Sequence, residues 1–152
     1  MLHVTSMHYF LSQKWHKDYT GPVMKLVHWV GSSLRDLNDF PEEVKSEAGF
    51  ALFVAQKGGK AVNAVPMVGF NGATVLEVVI DHDTNTFRAV YTVKFGKAVY
   101  VLHAFQKKSV KGRATPRPDI LLIKSRLKLA EEDYAARYLE SGRRGTSHGK
   151  GA

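Results

Sequence analysis

The sequence predicts an α+β fold: an antiparallel-dominated four-stranded sheet, with a helical hairpin ahead of its meander and one helix after it. Three observations carry this. Segments 74–80, 86–95 and 97–108 have strand periodicity and only turns between them, so they form an antiparallel meander. Upstream, Val44, Ala48, Ala51 and Ala55 recur at helical spacing. Downstream, Ile120, Ile123, Leu127, Ala130, Tyr134 and Tyr138 make a second helical stripe. Such an order builds two layers, with the hairpin covering one sheet face and the other face at least partly free.

Taken in order, residues 1–23 show neither alternation nor a helical stripe and are expected to be a disordered extension. Their three histidines are too irregularly spaced to argue for a metal site. A single domain is expected over 24–140. It opens with "KLVHWV" (25–30), which alternates as a first strand. Ser32 or Ser33 can cap a short helix bearing Leu34 and Leu37. Pro41 suits the opening of the second helix, Glu42 and Glu43 complement its dipole, and Gly58 ends it. Residues 61–72 read as a connecting loop, "DHDTN" (81–85) as a hairpin turn, and Gly96 as the next turn. Thr115 is expected to cap the last helix, with Pro116 in its first turn. The end, 141–152, is Gly-rich and basic and reads as a flexible tail.

Composition narrows the function classes. The chain has 152 residues and no cysteine, which excludes disulfides and thiolate zinc sites, zinc deaminases among them. No apolar run approaches the roughly 20 residues of a membrane helix, and the first 23 residues lack a signal core, so a cytoplasmic protein is expected. "DHDTN" is no calcium loop, because Thr86 stands where Gly is needed and Thr92 where Glu is needed. "QKGGKA" lacks P-loop spacing, and there is no nucleophile elbow. The charge is the positive signal. Lys plus Arg is 22 against 14 acids, a net charge of +8, which favours polyanions. Between positions 88 and 128 the basic residues are 88, 94, 97, 107, 108, 111, 113, 117, 124, 126 and 128, and the lone acid is Asp119.

Strand parity sorts these cations. In 86–95, Phe87, Ala89, Tyr91, Val93 and Phe95 take the core face, leaving Arg88, Val90, Thr92 and Lys94 opposite. In 97–108, Val99, Val101, His103, Phe105 and Lys107 share one face. If that face lies with Arg88, a concave surface carries Arg88, Lys94, His103, Phe105 and Lys107, rimmed by Lys108, Lys111 and Arg113. Cations interleaved with rings suit single-stranded RNA. The equally weighted alternative is a solvated sheet face whose lysines ward off edge pairing.

The segments "SSLRDLNDFPEEVKSEAGFALFVAQKGG", "MVGFNGATVLEVVIDHDTNTFRAVYTVKFGKAVYVLHAFQKKS" and "TPRPDI" resemble the HigB-like, phage-derived branch of the RelE/ParE toxin superfamily. The likeness spans about residues 24–130, and "LHAFQKKS…TP" is its most specific part. It implies the toxin of a type II toxin–antitoxin system, an mRNA interferase that cuts mRNA in the ribosomal A site. It also implies chemistry without a metal or other cofactor, in which the ribose 2′-hydroxyl attacks the adjacent phosphate, and a cognate helix-turn-helix antitoxin as partner.

On that resemblance Arg88 matches the strand arginine and is expected to clamp phosphate, its fork gripping two oxygens. Lys107 and Lys108 match the "KK" and would hold flanking phosphates or stabilise the transition state. His103 is a candidate acid or base, or else a packed strand histidine. Phe105 stacks a base or belongs to the core, and Lys94, Lys111 and Arg113 are expected to bind RNA. The chain departs from its relatives where they often carry a lysine (here Val68) and an arginine after the strand glutamate (here Val78 and Val79), and Glu77 then reads as a structural residue. These losses keep a second class open: a non-catalytic module of the same fold acting on gyrase or nucleic acid.

Overall fold

The computed structural model describes residues 4–6, 20–21, 23–107 and 114–140. Its strands are β1 (Val4–Ser6), β2 (Leu26–Val30), β3 (Ala64–Pro66), β4 (Val75–His82), β5 (Asn85–Thr92) and β6 (Ala98–Lys107). Its helices are α1 (Ser33–Asn38), α2 (Glu42–Gln56) and α3 (Arg117–Tyr134), the last extended by one π-helical turn over Ala135–Leu139. The architecture is α+β, but the sheet is mixed and larger than four antiparallel strands. Five strands run in the order β2-β6-β5-β4-β3, and the three-residue β1 extends the β2 edge. β2 lies parallel to β6, whereas β6, β5, β4 and β3 pair antiparallel in succession.

The parallel pair has a physical cause. A chain that leaves β2, crosses the sheet as α1 and α2 and returns to one edge has the length a crossover needs. β3 occupies part of the predicted 61–72 loop, where Ala64, Val65 and Pro66 pair Val78, Glu77 and Leu76. Beyond Val4–Ser6, Thr20, Gly21 and Val23, the expected extension 1–23 lies outside the described residues, as does the 141–152 tail.

The β4–β5 hairpin closes through Asp83 and Thr84, with φ of 46° and 66°. Both central residues of such a two-residue turn need positive φ to match the strand twist. Ser32 occupies the N-cap of α1 without capping its backbone; its hydroxyl donates to Asp36 Oδ2 at 2.7 Å. Pro116, not Thr115, is the N-cap of α3.

Two cores result. On one face α1 and α2 bury Leu37, Val44, Ala48 and Leu52 against Trp29, Val78, Ile80, Phe87 and Val101. On the other, α3 lays Ile123 and Ala130, flanked by Ile120, Leu127, Tyr134 and Tyr138, on Val30, Val75, Val90, Tyr100 and Leu102. The second sheet face is therefore roofed by α3 along much of its length, rather than left free.

Candidate functional site

Three rungs across β4, β5 and β6 bring the predicted side chains together. They are Asp81–Thr86–Lys107, Val79–Arg88–Phe105 and Glu77–Val90–His103. All face α3. For β6 this depends on a bulge: Tyr91 pairs Val101 but Val90 pairs His103, so Leu102 is the extra residue. Leu102 and His103 both point to the α3 side, and the parity of the strand inverts there. Val99 and Val101 consequently sit in the α1/α2 core, while His103, Phe105 and Lys107 join Arg88. The single face predicted for Val99 through Lys107 is thus split in two, and the split is what assembles the site.

Arg88 is buried, and its Nη1 donates to Glu77 Oε1 at 2.9 Å and to the Thr115 hydroxyl at 3.2 Å. Thr115 in turn donates to Glu77 Oε1 at 3.0 Å. Glu77 lies diagonally across from Arg88, within reach of a long side chain. Two opposite charges taken out of water hold each other only when such hydrogen bonds satisfy them, so Thr115 completes the pair. Thr115 has given up the helix cap for this role.

His103 is buried and stacks on Phe105, with ring centroids 4.7 Å apart. Its Nε2 lies 2.8 Å from Asp119 Oδ1, in the first turn of α3. A carboxylate accepts, so Nε2 carries the proton and the lone pair falls on Nδ1. Nδ1 is buried and has no hydrogen-bond partner among the described residues. Burial pulls the His103 pKa below its ordinary value, and the Asp119 carboxylate opposes that shift only in part. The imidazole is therefore neutral at pH 7, in a base-and-orienter arrangement.

Lys107 is also buried, at the end of the rung nearest Thr86. Phe105 is half-buried beside it. Lys94 is elsewhere: it stands beyond the far end of β5, six residues from Arg88 or roughly 20 Å along an extended strand, and its Nζ is 2.7 Å from Glu131 Oε1. Lys108, Lys111 and Arg113 lie outside the described residues. The predicted open cationic surface is thus a largely buried cluster in which Arg88 pairs with Glu77 and Thr115 and His103 with Asp119, with Phe105 and Lys107 on the same face.

The sequence left the partners of these residues unassigned. Asp119 was visible as the lone acid between 88 and 128, and Glu77, read there as a structural residue, is one of two acids, with Asp81, on Arg88's face of β4. Arg126 had no such signal. It is buried, donating from Nη1 to the Leu102 carbonyl and from Nη2 to the Ser32 hydroxyl, both at 2.9 Å. Its Leu102 contact holds the bulge that aims His103, and burial lowers its pKa. Among the described residues no group of three or more His, Asp or Glu is arranged to hold a metal ion, and no helix is long and apolar enough to cross a membrane.

In comparison with protein families, residues 35–128 fit the family described as Phage derived protein Gp49-like (DUF891). That span runs from α1 through most of α3 and contains every described residue of the cluster. No curated protein and no solved structure matches the chain.

Proposed function

The chain belongs to the Gp49-like family of phage-derived proteins, and from that premise we propose that it is the toxin of a type II toxin–antitoxin system, of the RelE/ParE type and HigB-like, acting as a ribosome-dependent mRNA endoribonuclease in the cytoplasm. The observation that carries the reading is the convergence of Arg88, His103 and Lys107 on one sheet face, achieved by the β6 bulge. In the reaction, O2′ attacks the adjacent phosphorus as the P–O5′ bond breaks. The products are a 2′,3′-cyclic phosphate and a 5′-hydroxyl, with one proton leaving O2′ and one arriving at O5′. The Arg88 fork and the Lys107 ammonium stabilise the charge that builds on the phosphoryl oxygens. Glu77 and Thr115 orient Arg88, and Asp119 orients His103 so that Nδ1 is the basic atom. Because Arg88 and His103 are buried against Thr115 and Asp119, substrate entry requires Thr115 and the first turn of α3 to move aside. The expected partners are mRNA in the ribosomal A site and a helix-turn-helix antitoxin.

A second reading is favoured by the burial and mutual neutralisation of Arg88 and Glu77. In it the cluster is structural, and the protein is a non-catalytic inhibitor acting on gyrase or nucleic acid. Induced expression separates the two. Wild type is expected to arrest growth with transcripts cut in the A site, and Arg88→Ala and Lys107→Ala, at matched soluble levels, to relieve both effects. Growth arrest with intact transcripts and stalled replication overturns the nuclease reading in favour of the inhibitor.

A further inference from the structure

A cleft of about 340 Å³ opens where the 67–74 loop meets the second half of α3, lined by Gly69, Phe70, Asn71, Lys94, Leu127 and Glu131. It lies on the same sheet face as the Arg88 cluster: Thr74 and Val75 close it, and Val75 stands two residues from Glu77 on β4. From the Arg88 rung to the Val75–Thr92 rung is four residues, roughly 13 Å along the sheet. An extended RNA strand crosses such a span in a couple of nucleotides.

The chemistry of the lining is specific. Phe70 is half-buried, so its ring is fixed by packing on the α3 core and still reaches the cleft. Lys124 Nζ sits 5.9 Å from the ring centroid, a cation over an aromatic face. Beside them Lys94 and Glu131 pair at 2.7 Å while staying 48% and 42% exposed, so a donor and an acceptor stand together at the mouth. Gly69 and Gly72 hold φ of 93° and 70°, backbone that few other residues adopt, and this fixes the loop that carries Phe70. An aromatic platform, an exposed lysine and an adjacent donor–acceptor pair match one ligand class. An unstacked nucleobase has a π-face, a flanking phosphate and a Watson–Crick edge with neighbouring donor and acceptor atoms. The volume suits a small ligand or one base with its sugar.

We propose that this cleft is a nucleobase subsite for single-stranded RNA: Phe70 stacks one base, Lys124 swings from the ring to the adjoining phosphate, and Lys94 and Glu131 read the base edge. The assignment rests on the RNA-directed reading above and extends it to a position away from the reacting phosphate. It also gives Lys94, which the fold removes from the Arg88 cluster, a place on the same RNA path.

The test is binding of the full chain to a short, fluorescently labelled single-stranded RNA carrying 2′-O-methyl groups, which cannot be cleaved. Phe70→Leu is expected to weaken binding on the order of tenfold, and Phe70→Trp to retain it. One abasic position in the RNA is expected to weaken wild-type binding by a similar factor and to cost Phe70→Leu nothing further. Lys124→Ala is expected to reduce the salt dependence by about 0.7 in slope. Urea titration establishes that each variant is folded; should Phe70→Leu not fold, the abasic RNA and Lys124→Ala still decide. Equal affinity across these variants and probes, or no binding by wild type, overturns the subsite. So does a Phe70→Leu protein that keeps its RNA affinity but escapes neutralisation by an antitoxin, because the cleft then serves a protein partner. The nuclease reading is judged separately, by transcript cleavage in wild type against Arg88→Ala. Loss of the subsite leaves that result untouched, and intact transcripts leave the binding result to stand alone.

Discussion

The two faces of the sheet are held by different physics. Under α1 and α2 the core is almost wholly apolar, and small side chains at Ala48, Ala51 and Ala55 let α2 lie close to the strands. Among its polar exceptions, the Tyr91 hydroxyl is buried without a partner among the described residues, and burial pushes it up to about 12. Under α3 the apolar cluster is threaded by buried polar groups that bond to one another. Arg88 meets Glu77 and Thr115, His103 meets Asp119, Arg126 meets the Leu102 carbonyl, and His28 Nε2 lies 2.7 Å from the Tyr138 hydroxyl. The Tyr100 hydroxyl donates to Asp133 at 2.6 Å, and both its burial and that bond raise its pKa. The first face is a packing surface that any volume-matched set could make. The second is directional, so it can hold charges in register, and the candidate chemistry is all on it.

The largest expected effect contrasts one residue from each face. Arg88→Ala leaves the Glu77 carboxylate buried without its main partner and is expected to cost about 3–5 kcal/mol. Leu52→Ala opens a cavity in the α2 core and is expected to cost about 2–5 kcal/mol. The repair differs: replacing Arg88 and Glu77 together by Met and Leu is expected to recover most of the loss in urea unfolding, without restoring growth arrest. A double variant as unstable as Arg88→Ala would show that the pair does not act as a unit.

Next is the bulge. Gly31 has φ of 57°, and a Cβ there would stand 2.9 Å from Arg126 Nη2. Gly31→Ala is expected to cost about 1–2 kcal/mol in backbone strain and to push Arg126 off the Leu102 carbonyl. The His103 ring signals should then shift in NMR spectra. Unchanged His103 signals would mean that the bulge is held by the strand pairing alone.

The smallest effect is the pH dependence. His103 has a folded pKa lowered by burial, so the unfolded chain binds more protons as pH falls from about 6.5. Its contribution to stability is complete above that value and is lost as pH falls towards and through the folded pKa. The wild-type urea midpoint is therefore expected to drop between pH 7.5 and pH 5, and His103→Gln to flatten that part of the profile. An equal drop in the variant would move the sensitivity to another group.

What the sequence determined by itself was local. The period-2 runs gave β4, β5 and β6, the helical stripes gave α2 and α3, the flanking prolines marked where those helices begin, and the charge count put the cations between 88 and 128. Each of these is a preference of neighbouring residues. The tertiary structure decided what neighbours cannot encode. β2 lies parallel to β6 because the chain crosses over between them. Leu102 is extra because β5 and Arg126 hold it out of register, and so His103 changes face. Arg88 is buried because Thr115 and the start of α3 pack over a surface that parity alone left open. A side chain's period along a strand is set by its own backbone. Its face, its burial and its ionic partner are set by another strand's register and by a helix that comes later in the chain.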